Sequence, residues 1–355
     1  MSSSRATSVA RAQDGLITRQ QALSAGMSSG AVGRAVRGRW QIVLPGVYAT
    51  FTGPLADIHR LRAAVLYAGP GALITGAMAC RMCGLDYGPD PDGIVDVLVD
   101  LRRQRPDVDF VRLHRTSRLP AERIVVWQDD SPIARAELAS APPLDYVGDP
   151  LTDGARRWTL LLAPQARAAL DAVRLDRLAT LAEHPNGVPR RVEAKLLRDT
   201  RALLCELVQR RRATLSDLVR ELDAAPRRGL ATARQAVADV LAGCRSAPEC
   251  ELRDLVKMSR VLPEPRWNKP LPGYRPMPGQ RRIIPDCCWA DARLVVEVNS
   301  TQWHKLGDGP ERTEQRLAQY AELGWLVIPL SPYRIRTEPA KVLRQLESTY
   351  LTRLA

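Results

Sequence analysis

The spacing of apolar and polar residues divides the chain into segments of different character. Two short helices and a β-hairpin are predicted in the first fifty residues, and residues 57–85 again show helical periodicity. β-Prone runs separated by Asp and Pro turns lie in 95–126. After a Pro- and Asp-rich stretch, 131–154, that we expect to be a loop, helical periodicity dominates in 163–243. This mixture predicts an α+β protein.

The first fifty residues carry clear helix-capping signals. Thr18 and Gln21 have the spacing of a capping box that opens the first helix. Ser28 or Ser29 is expected to cap the second helix, which ends at Gly38. Two β-prone runs joined by a Leu-Pro-Gly turn follow and predict a hairpin. Helix, turn, helix and hairpin together predict a winged helix-turn-helix.

A length of 355 residues exceeds one typical hydrophobic core, so a multidomain chain is expected. The uncharged stretch 63–80 is broken by Gly69, Pro70 and Gly71, which argues against a transmembrane helix and a membrane partner. We predict four segments: a winged helix-turn-helix domain over 1–90, a small β-rich and loop segment over 91–160, a helical connector over 161–245, and a C-terminal α/β domain over 246–355.

The charge balance favours a polyanionic partner. The chain has 52 Lys and Arg against 39 Asp and Glu, a net charge of +13, and the planar fork of Arg suits phosphate groups. The alternative is a generally Arg-rich composition with no functional meaning. The same two interpretations apply to the arginines of the helical connector, which either contact phosphate or form solvated helix faces: Arg190, Arg191, Arg198, Arg210, Arg211 and Arg212.

Cysteine usage indicates a reducing compartment. Seven cysteines, an odd number, together with a polar start that has no apolar signal segment, predict a cytoplasmic protein without a disulfide framework. Cys80 and Cys83 form a CxxC, but no second pair at zinc-ligand spacing completes a four-ligand site. We therefore expect them to be buried thiols.

An acidic pair near the C-terminus is the strongest candidate for chemistry. Asp286 is predicted to end one strand and Glu297 to lie late in the next, so that antiparallel pairing brings them together. A carboxylate beside a buried strand costs desolvation energy, which a bound divalent cation would offset. Mg²⁺ prefers such oxygen ligands. Glu249, at the start of a helix opened by Ser246, is expected to supply a third carboxylate.

These residues carry a family resemblance. The acidic residue on a leading helix, a literal Pro285-Asp286, ten intervening residues and then Glu297-Val298-Asn299 resemble the PD-(D/E)XK nuclease superfamily. The run VEVNSTQWH, followed by ERTEQR and LGWLVIPLSPYRIRTEP, is similar to actinobacterial endonuclease-like domains of unknown function related to very-short-patch repair endonucleases, over about residues 246–350.

The resemblance implies a restriction-endonuclease-like αβββαβ core for the C-terminal domain. It also implies Asp286, Glu297 and Glu249 as ligands of Mg²⁺ or Mn²⁺ and as catalytic residues. His304 would lie near the scissile phosphate and act as general acid or base.

Two positions depart from the family pattern. Asn299 occupies a catalytic position at which the superfamily has Lys and this branch usually has Asp, and Thr313 replaces an acidic residue of many relatives. Lys305 or Arg316 is a candidate to replace the missing positive charge. A nuclease fold that has lost cleavage is therefore the alternative.

The N-terminal segment has a resemblance of its own. The stretch LITRQQALSAGMSSGAVGRAVRGRWQIVLPGVYAT, within residues 10–50, resembles the N-terminal domain of type IV abortive-infection antitoxins. This implies a second helix that lies in the major groove of DNA and a wing against the backbone. The alternatives are a solvated helix face and a protein-binding module. The predicted DNA contacts are Ser28, Ser29, Arg34, Arg37, Arg39 and, from the C-terminal domain, Arg316.

Together these observations predict a Mg²⁺-dependent DNA endonuclease or nickase directed by a winged-helix module. The alternative is a non-catalytic DNA-binding transcriptional regulator, antitoxin-like, with a degenerate nuclease fold and a partner toxin. A homodimer is compatible with both hypotheses. RNA as substrate is not excluded, although no RNA-stacking aromatic motif supports it.

Overall fold

The computed structural model describes most of the chain, namely residues 2–120, 122–126, 136–140, 160–276, 278–279, 282–298 and 309–355. The chain divides into two compact units. The first unit comprises Met1–Pro185 and Arg212–Leu230, and the second comprises Asn186–Arg211 and Ala231–Ala355. Each unit contains both helices and β-sheet, so the protein is of mixed α and β composition.

Helices contribute more residues than strands to the described structure. They are α1 (Ser2–Ala12), α2 (Arg19–Ser24), α3 (Ser29–Gly38), α4 (Asp57–Ala68), α5 (Gly76–Met82), α6 (Gln165–Glu183), α7 (Arg190–Gln209), α8 (Leu215–Ala224), α9 (Ala231–Leu241), α10 (Ala247–Lys257), α11 (Gly309–Glu322), α12 (Pro332–Thr337) and α13 (Pro339–Leu354). Within the described residues, no helix is long and apolar enough to span a membrane.

The strands are short and form three sheets in the described residues. They are β1 (Leu16–Thr18), β2 (Gln41–Leu44), β3 (Val47–Ala49), β4 (Leu73–Ile74), β5 (Val95–Asp100), β6 (Val111–Thr116), β7 (Glu122–Val126), β8 (Ala136–Ser140), β9 (Leu160–Leu162), β10 (Arg266–Trp267), β11 (Cys287–Trp289), β12 (Leu294–Val298) and β13 (Leu326–Leu330). The sheet orders are β1-β3-β2, β6-β5-β4-β9-β7-β8 and β10-β11-β12-β13.

The predicted caps of the first unit are confirmed. The Thr18 side chain accepts a hydrogen bond from the Gln21 amide at 3.1 Å, and the Gln21 side chain accepts one from the Thr18 amide at 2.9 Å. Ser28, rather than Ser29, caps α3 by accepting from the Ala31 amide at 3.2 Å. The hairpin of β2 and β3 follows as expected.

Two elements of this region are absent from the sequence prediction. Helix α1 is rich in Ser, Ala and Arg and shows little apolar periodicity, yet it buries Ala6, Val9 and Ala10 against Ile17. Strand β1, with Ile17 at its centre, pairs antiparallel with β3 and makes the sheet three-stranded. Strand β1 has only three residues, so its extended conformation depends on pairing with β3, which is distant in sequence.

The six-stranded sheet confirms the strands predicted between Val95 and Val126 and corrects one expectation. Residues 136–140, placed in the expected loop of 131–154, form β8, which pairs antiparallel with β7. The sequence Ala-Glu-Leu-Ala-Ser has weak strand propensity, so pairing rather than propensity sets its conformation. The other residues of that expected loop lie outside the described residues.

The helices predicted for the connector are present but belong to different units. Helices α6 and α8 lie in the first unit, whereas α7 and α9 lie in the second and pack on each other. Two connector arginines form ion pairs in the second unit, Arg198 with Glu251 at 2.6 Å and Arg210 with Glu206 at 2.9 Å. A phosphate contact by these two arginines stays a prediction.

The second unit positions the acidic pair. Its described elements from α10 onward follow the order α10, β10, β11, β12, α11, β13, with β11 and β12 antiparallel and β12 and β13 parallel. Asp286 was expected to end a strand, and this is wrong: it directly precedes β11. Pro285 has no amide hydrogen to donate to a ladder, so the pairing of β11 begins only beyond it.

Candidate functional site

Asp286 and Glu297 come together at one end of the β11–β12 pair. The register places Cys287 opposite Val296, so Asp286 and Glu297 are the next residues outward on the two strands. The Oδ2 atom of Asp286 accepts a hydrogen bond from the Val298 amide at 2.7 Å. The predicted antiparallel juxtaposition is therefore confirmed.

Two residues of α11 hold Glu297. Glu297 is 8% exposed, and its Oε1 atom accepts a 2.6 Å hydrogen bond from the hydroxyl of the buried Tyr320. The guanidinium of Arg316 lies 2.9 Å from the same oxygen and also donates to the Ile284 carbonyl at 2.5 Å. Tyr320 was missed from sequence, because nothing in a lone Tyr marks it as a carboxylate partner. Arg316, predicted as a DNA contact, is a partner of the acidic pair.

Glu249 occupies the first turn of α10 and is also buried. Its Oε1 accepts from the Ser246 hydroxyl at 2.8 Å, and its Oε2 accepts from the Arg245 amide at 2.9 Å. The side-chain amide of Asn268 donates to the same Oε2 at 2.5 Å. Both oxygens thus serve the helix start, and Asn268 is a second partner that sequence reasoning missed.

Asp286 acts electrostatically on both glutamates. Burial raises the pKa of Glu249 to about 7, and the charge of Asp286 acts in the same direction. Burial, again aided by Asp286, raises the pKa of Glu297 to about 7, against the opposing charge of Arg316. Burial also raises the pKa of Asp286, although the Val298 amide and Arg316 oppose the shift. We call Glu249, Asp286 and Glu297 the acidic centre.

Two of the three carboxyl groups, those of Asp286 and Glu297, suit a hard divalent cation. Across the described part of the chain, no group of three or more His, Cys, Asp or Glu residues is arranged to hold a metal ion. Mg²⁺ usually takes one or two carboxylates and fills its other positions with water and phosphate oxygens. Asp286 and Glu297 fit that requirement. The role of Glu249 as a ligand stays a prediction, since both its oxygens already accept hydrogen bonds.

Several predicted site residues cannot be placed. Asn299, His304 and Lys305 lie outside the described residues, and the side chain of Thr313 does as well. The departures from the nuclease pattern at Asn299 and Thr313 therefore remain sequence observations.

The predicted DNA contacts of the first unit lie on and beside α3. Arg34, Arg37 and Arg39 are exposed, while Val32 on the opposite face is buried in the core. Ser29 is exposed, and its hydroxyl accepts a 2.8 Å hydrogen bond from Arg19. Arg19 was not predicted, yet it adds a fourth exposed arginine to this surface. We call Arg19, Arg34, Arg37 and Arg39 the arginine face.

The seven cysteines lie inside the protein as free thiols. All seven are buried, and none forms a disulfide. Burial raises the pKa of the Cys83 thiol to about 11, which keeps it protonated and unreactive near neutral pH. The interpretation of the CxxC as buried thiols is confirmed.

Comparisons with known proteins transfer no function. No family model matches the chain. Over 116 residues, 33% of this chain, it is 33% identical to the uncharacterized proteins MT2308 (strain CDC 1551 / Oshkosh) and Rv2248 (strain ATCC 25618 / H37Rv) of Mycobacterium tuberculosis. The match spans 41% of the length of those relatives. The crystal structure of the RV2827C protein from Mycobacterium tuberculosis is similar at a TM-score of 0.34 and 18% identity, covering 71% of this chain and 80% of that chain.

Proposed function

We propose that the protein is a Mg²⁺- or Mn²⁺-dependent DNA endonuclease or nickase acting in the cytoplasm. The observation that carries the proposal is the acidic centre, in which burial, aided by the charge of Asp286, raises the pKa of both Glu249 and Glu297. Buried carboxyls that repel one another are costly to the fold, and clusters of this kind are typical of functional sites. A divalent cation between Asp286 and Glu297 would relieve the repulsion.

The residues of the second unit have distinct roles in this proposal. Asp286 and Glu297 would hold the cation, which when bound lowers the pKa of water and neutralises charge on phosphate. Tyr320 fixes the orientation of Glu297 through its 2.6 Å hydrogen bond. Arg316, whose side chain is 44% exposed, offers positive charge to a phosphodiester beside the carboxylates. His304 stays the predicted general acid or base.

The finer fold assignment belongs to the same proposal. We infer a restriction-endonuclease-like core for the second unit, and the α-β-β-β-α-β order from α10 to β13 supports it. We infer a winged helix-turn-helix for the start of the first unit, supported by α2, α3 and the β2–β3 hairpin. Helix α3 would enter the major groove with Ser28, Ser29 and the arginine face towards DNA.

Cleavage of supercoiled plasmid tests the proposal. The wild-type protein should nick or linearise the plasmid with Mg²⁺ or Mn²⁺ and lose this activity with chelator. A double variant, Asp286→Asn with Glu297→Gln, keeps the shape of both side chains but removes their charge and should be inactive. Glu322→Gln, which alters an exposed carboxylate of α11, is the matched control and should cleave like the wild type. Equal nicking by the double variant and the wild type would contradict the proposal.

One observation favours the second candidate, a non-catalytic DNA-binding regulator of antitoxin type. Arg316 offsets the charge of Glu297 and Tyr320 donates a hydrogen bond to it, contacts that would also serve a centre retained for folding alone. This candidate predicts DNA binding that is unaffected by chelator and weakened by Arg34→Ala or Arg37→Ala, with no cleavage. A homodimer and a partner toxin remain predictions under it.

A further inference from the structure

The first unit contains a cavity that neither the acidic centre nor the arginine face uses. It has a volume of about 470 Å³, within the range of sites for small molecules. Its walls come from β6 and the residues after it, from α6, and from the end of α8 with the following turn. All of these elements belong to the first unit.

The floor of the cavity is apolar. Leu98 of β5, Leu170 of α6 and Leu230 line it, and these three side chains are at most 2% exposed. Leu101, which is 53% exposed, and the half-buried Leu175 also line the cavity, and they offer apolar surface on which a nonpolar or flat ring can pack.

The walls are cationic. Four arginines line the cavity, Arg115, Arg118, Arg167 and Arg174. Two acidic residues, Asp171 and Glu221, line it as well. Four arginines against two carboxylates leave an excess of two positive charges. Such an excess beside a partly enclosed cavity attracts anions.

The ion pairs show which arginines remain uncompensated. Arg167 lies 2.9 Å from Asp171, and Arg118 lies 3.4 Å from Glu221. The Thr75 hydroxyl donates to the same Asp171 carboxylate at 2.7 Å, which fixes that pair in place. Both cavity carboxylates are therefore already matched by an arginine.

Arg174 and Arg115 have neutral partners instead. The Nε of Arg174 donates to the Arg228 carbonyl at 3.2 Å, and Arg115 donates to the carbonyls of Arg103 and Arg105 at 2.7 and 2.5 Å. Carbonyl oxygens orient a guanidinium without cancelling its charge. Among the described residues, the two terminal nitrogens of Arg174 have no hydrogen-bond partner, so its fork remains available to a planar anion.

We propose that this cavity binds a small phosphorylated ligand with a ring body, of the size of a nucleoside monophosphate. The phosphate lies against Arg174 and Arg115, and the ring packs on Leu101 and Leu175. The hydroxyl of Thr116 in the same wall is a donor for the phosphate or the sugar. This site is separate from the DNA-binding and cleavage roles proposed above, and its test does not depend on them.

Isothermal titration of the full-length protein with AMP, adenosine and inorganic phosphate tests the proposal. AMP should bind, and adenosine and phosphate should each bind at least about tenfold more weakly, because each presents one half of the ligand. Absence of AMP binding at millimolar concentration would overturn the proposal. Equal binding of AMP and adenosine would overturn it too, since the arginines would then play no part.

Matched variants test whether AMP binds in this cavity. Arg174→Gln should weaken AMP binding about tenfold or more, whereas Arg174→Lys, which keeps the charge, should weaken it less. Arg112→Gln alters an exposed arginine of β6 that does not line the cavity and should leave the affinity unchanged. Arg34→Ala combined with Arg37→Ala should also leave it unchanged. Loss of AMP binding in that last variant but not in Arg174→Gln would place the nucleotide on the arginine face and overturn the proposal.

Discussion

The arginine face carries its charge on the protein surface, whereas the acidic centre beside β11 and β12 carries buried charge. Arg34 and Arg37 are exposed and stand on a helix whose core contact is made by Val32. Glu297 is 8% exposed, and Tyr320 and Arg316 meet its charge directly. A surface charge of the first kind can be removed with little effect on folding. A buried charge of the second kind links folding, protonation and chemistry, so a change there alters all three.

The largest effect that separates the two regions should be a dependence of stability on pH. The folded-state pKa values of Glu249 and Glu297 are raised to about 7, above the unfolded values near 4.5. The folded chain therefore binds more protons than the unfolded chain between these values, and the free energy of unfolding falls as pH rises from about 4.5 to 7. Chemical denaturation at several pH values measures it.

A charge-neutral variant supplies the control for that slope. Glu249→Gln combined with Glu297→Gln should flatten the fall in stability between pH 4.5 and 7, whereas Arg34→Ala combined with Arg37→Ala should leave it as in the wild type. A slope that survives the Gln substitutions would mean that the pKa values of the acidic centre do not govern it.

Removal of the Tyr320 hydroxyl should have the next largest effect. Tyr320→Phe keeps the buried ring but deletes the hydrogen bond to Glu297, and a hydrogen bond to a charged group contributes about 1.5–3 kcal/mol to stability. The free energy of unfolding, measured by denaturation above pH 7, should fall by about that amount. Tyr333→Phe alters an exposed ring and is the control; an equal loss in both variants would argue against a specific role for Tyr320.

Substitutions in the arginine face should change DNA affinity and leave the free energy of unfolding almost unchanged. Arg34→Ala combined with Arg37→Ala should weaken DNA binding about tenfold or more and reduce the salt dependence by about two phosphate contacts. The free energy of unfolding should change by less than about 0.5 kcal/mol, because both side chains are exposed. Fluorescence anisotropy over a range of salt concentrations measures the binding. If the salt dependence of DNA binding were unchanged in this variant, α3 would not contact the DNA backbone.

The smallest predicted difference lies between two adjacent serines. Ser28→Ala removes the N-cap of α3 and should cost about 1 kcal/mol, whereas Ser29→Ala should cost little, since Ser29 only accepts a hydrogen bond from exposed Arg19. Thermal unfolding distinguishes the two variants. Equal melting temperatures would mean that Ser28 does not act as a cap in solution.

Local signals in the sequence predict part of this structure well. The capping box of Thr18 and Gln21 and the cap at Ser28 are read from neighbouring residues, because their hydrogen bonds span three positions. The juxtaposition of Asp286 and Glu297 follows from two strands joined by a short turn, although the start of β11 after Pro285 was misplaced.

Other features depend on partners distant in the chain and escape sequence reasoning. Strand β8 exists because β7 pairs with it, and α1 is held by burial against Ile17 rather than by its own periodicity. The contacts of Glu297 with Tyr320 and of Glu249 with Asn268 join residues 23 and 19 positions apart, in elements whose packing no local pattern specifies.

Direct titration of a divalent cation tests the central claim, that Asp286 and Glu297 hold a metal ion. Isothermal titration of Mn²⁺ into the wild-type protein should give one binding site at a pH above 7, the approximate pKa of Glu249 and Glu297, where these two carboxyls are ionised. The double variant Asp286→Asn with Glu297→Gln should lose that site, and Glu322→Gln should retain it. Absence of binding in the wild type, or equal binding in the double variant, would contradict the account.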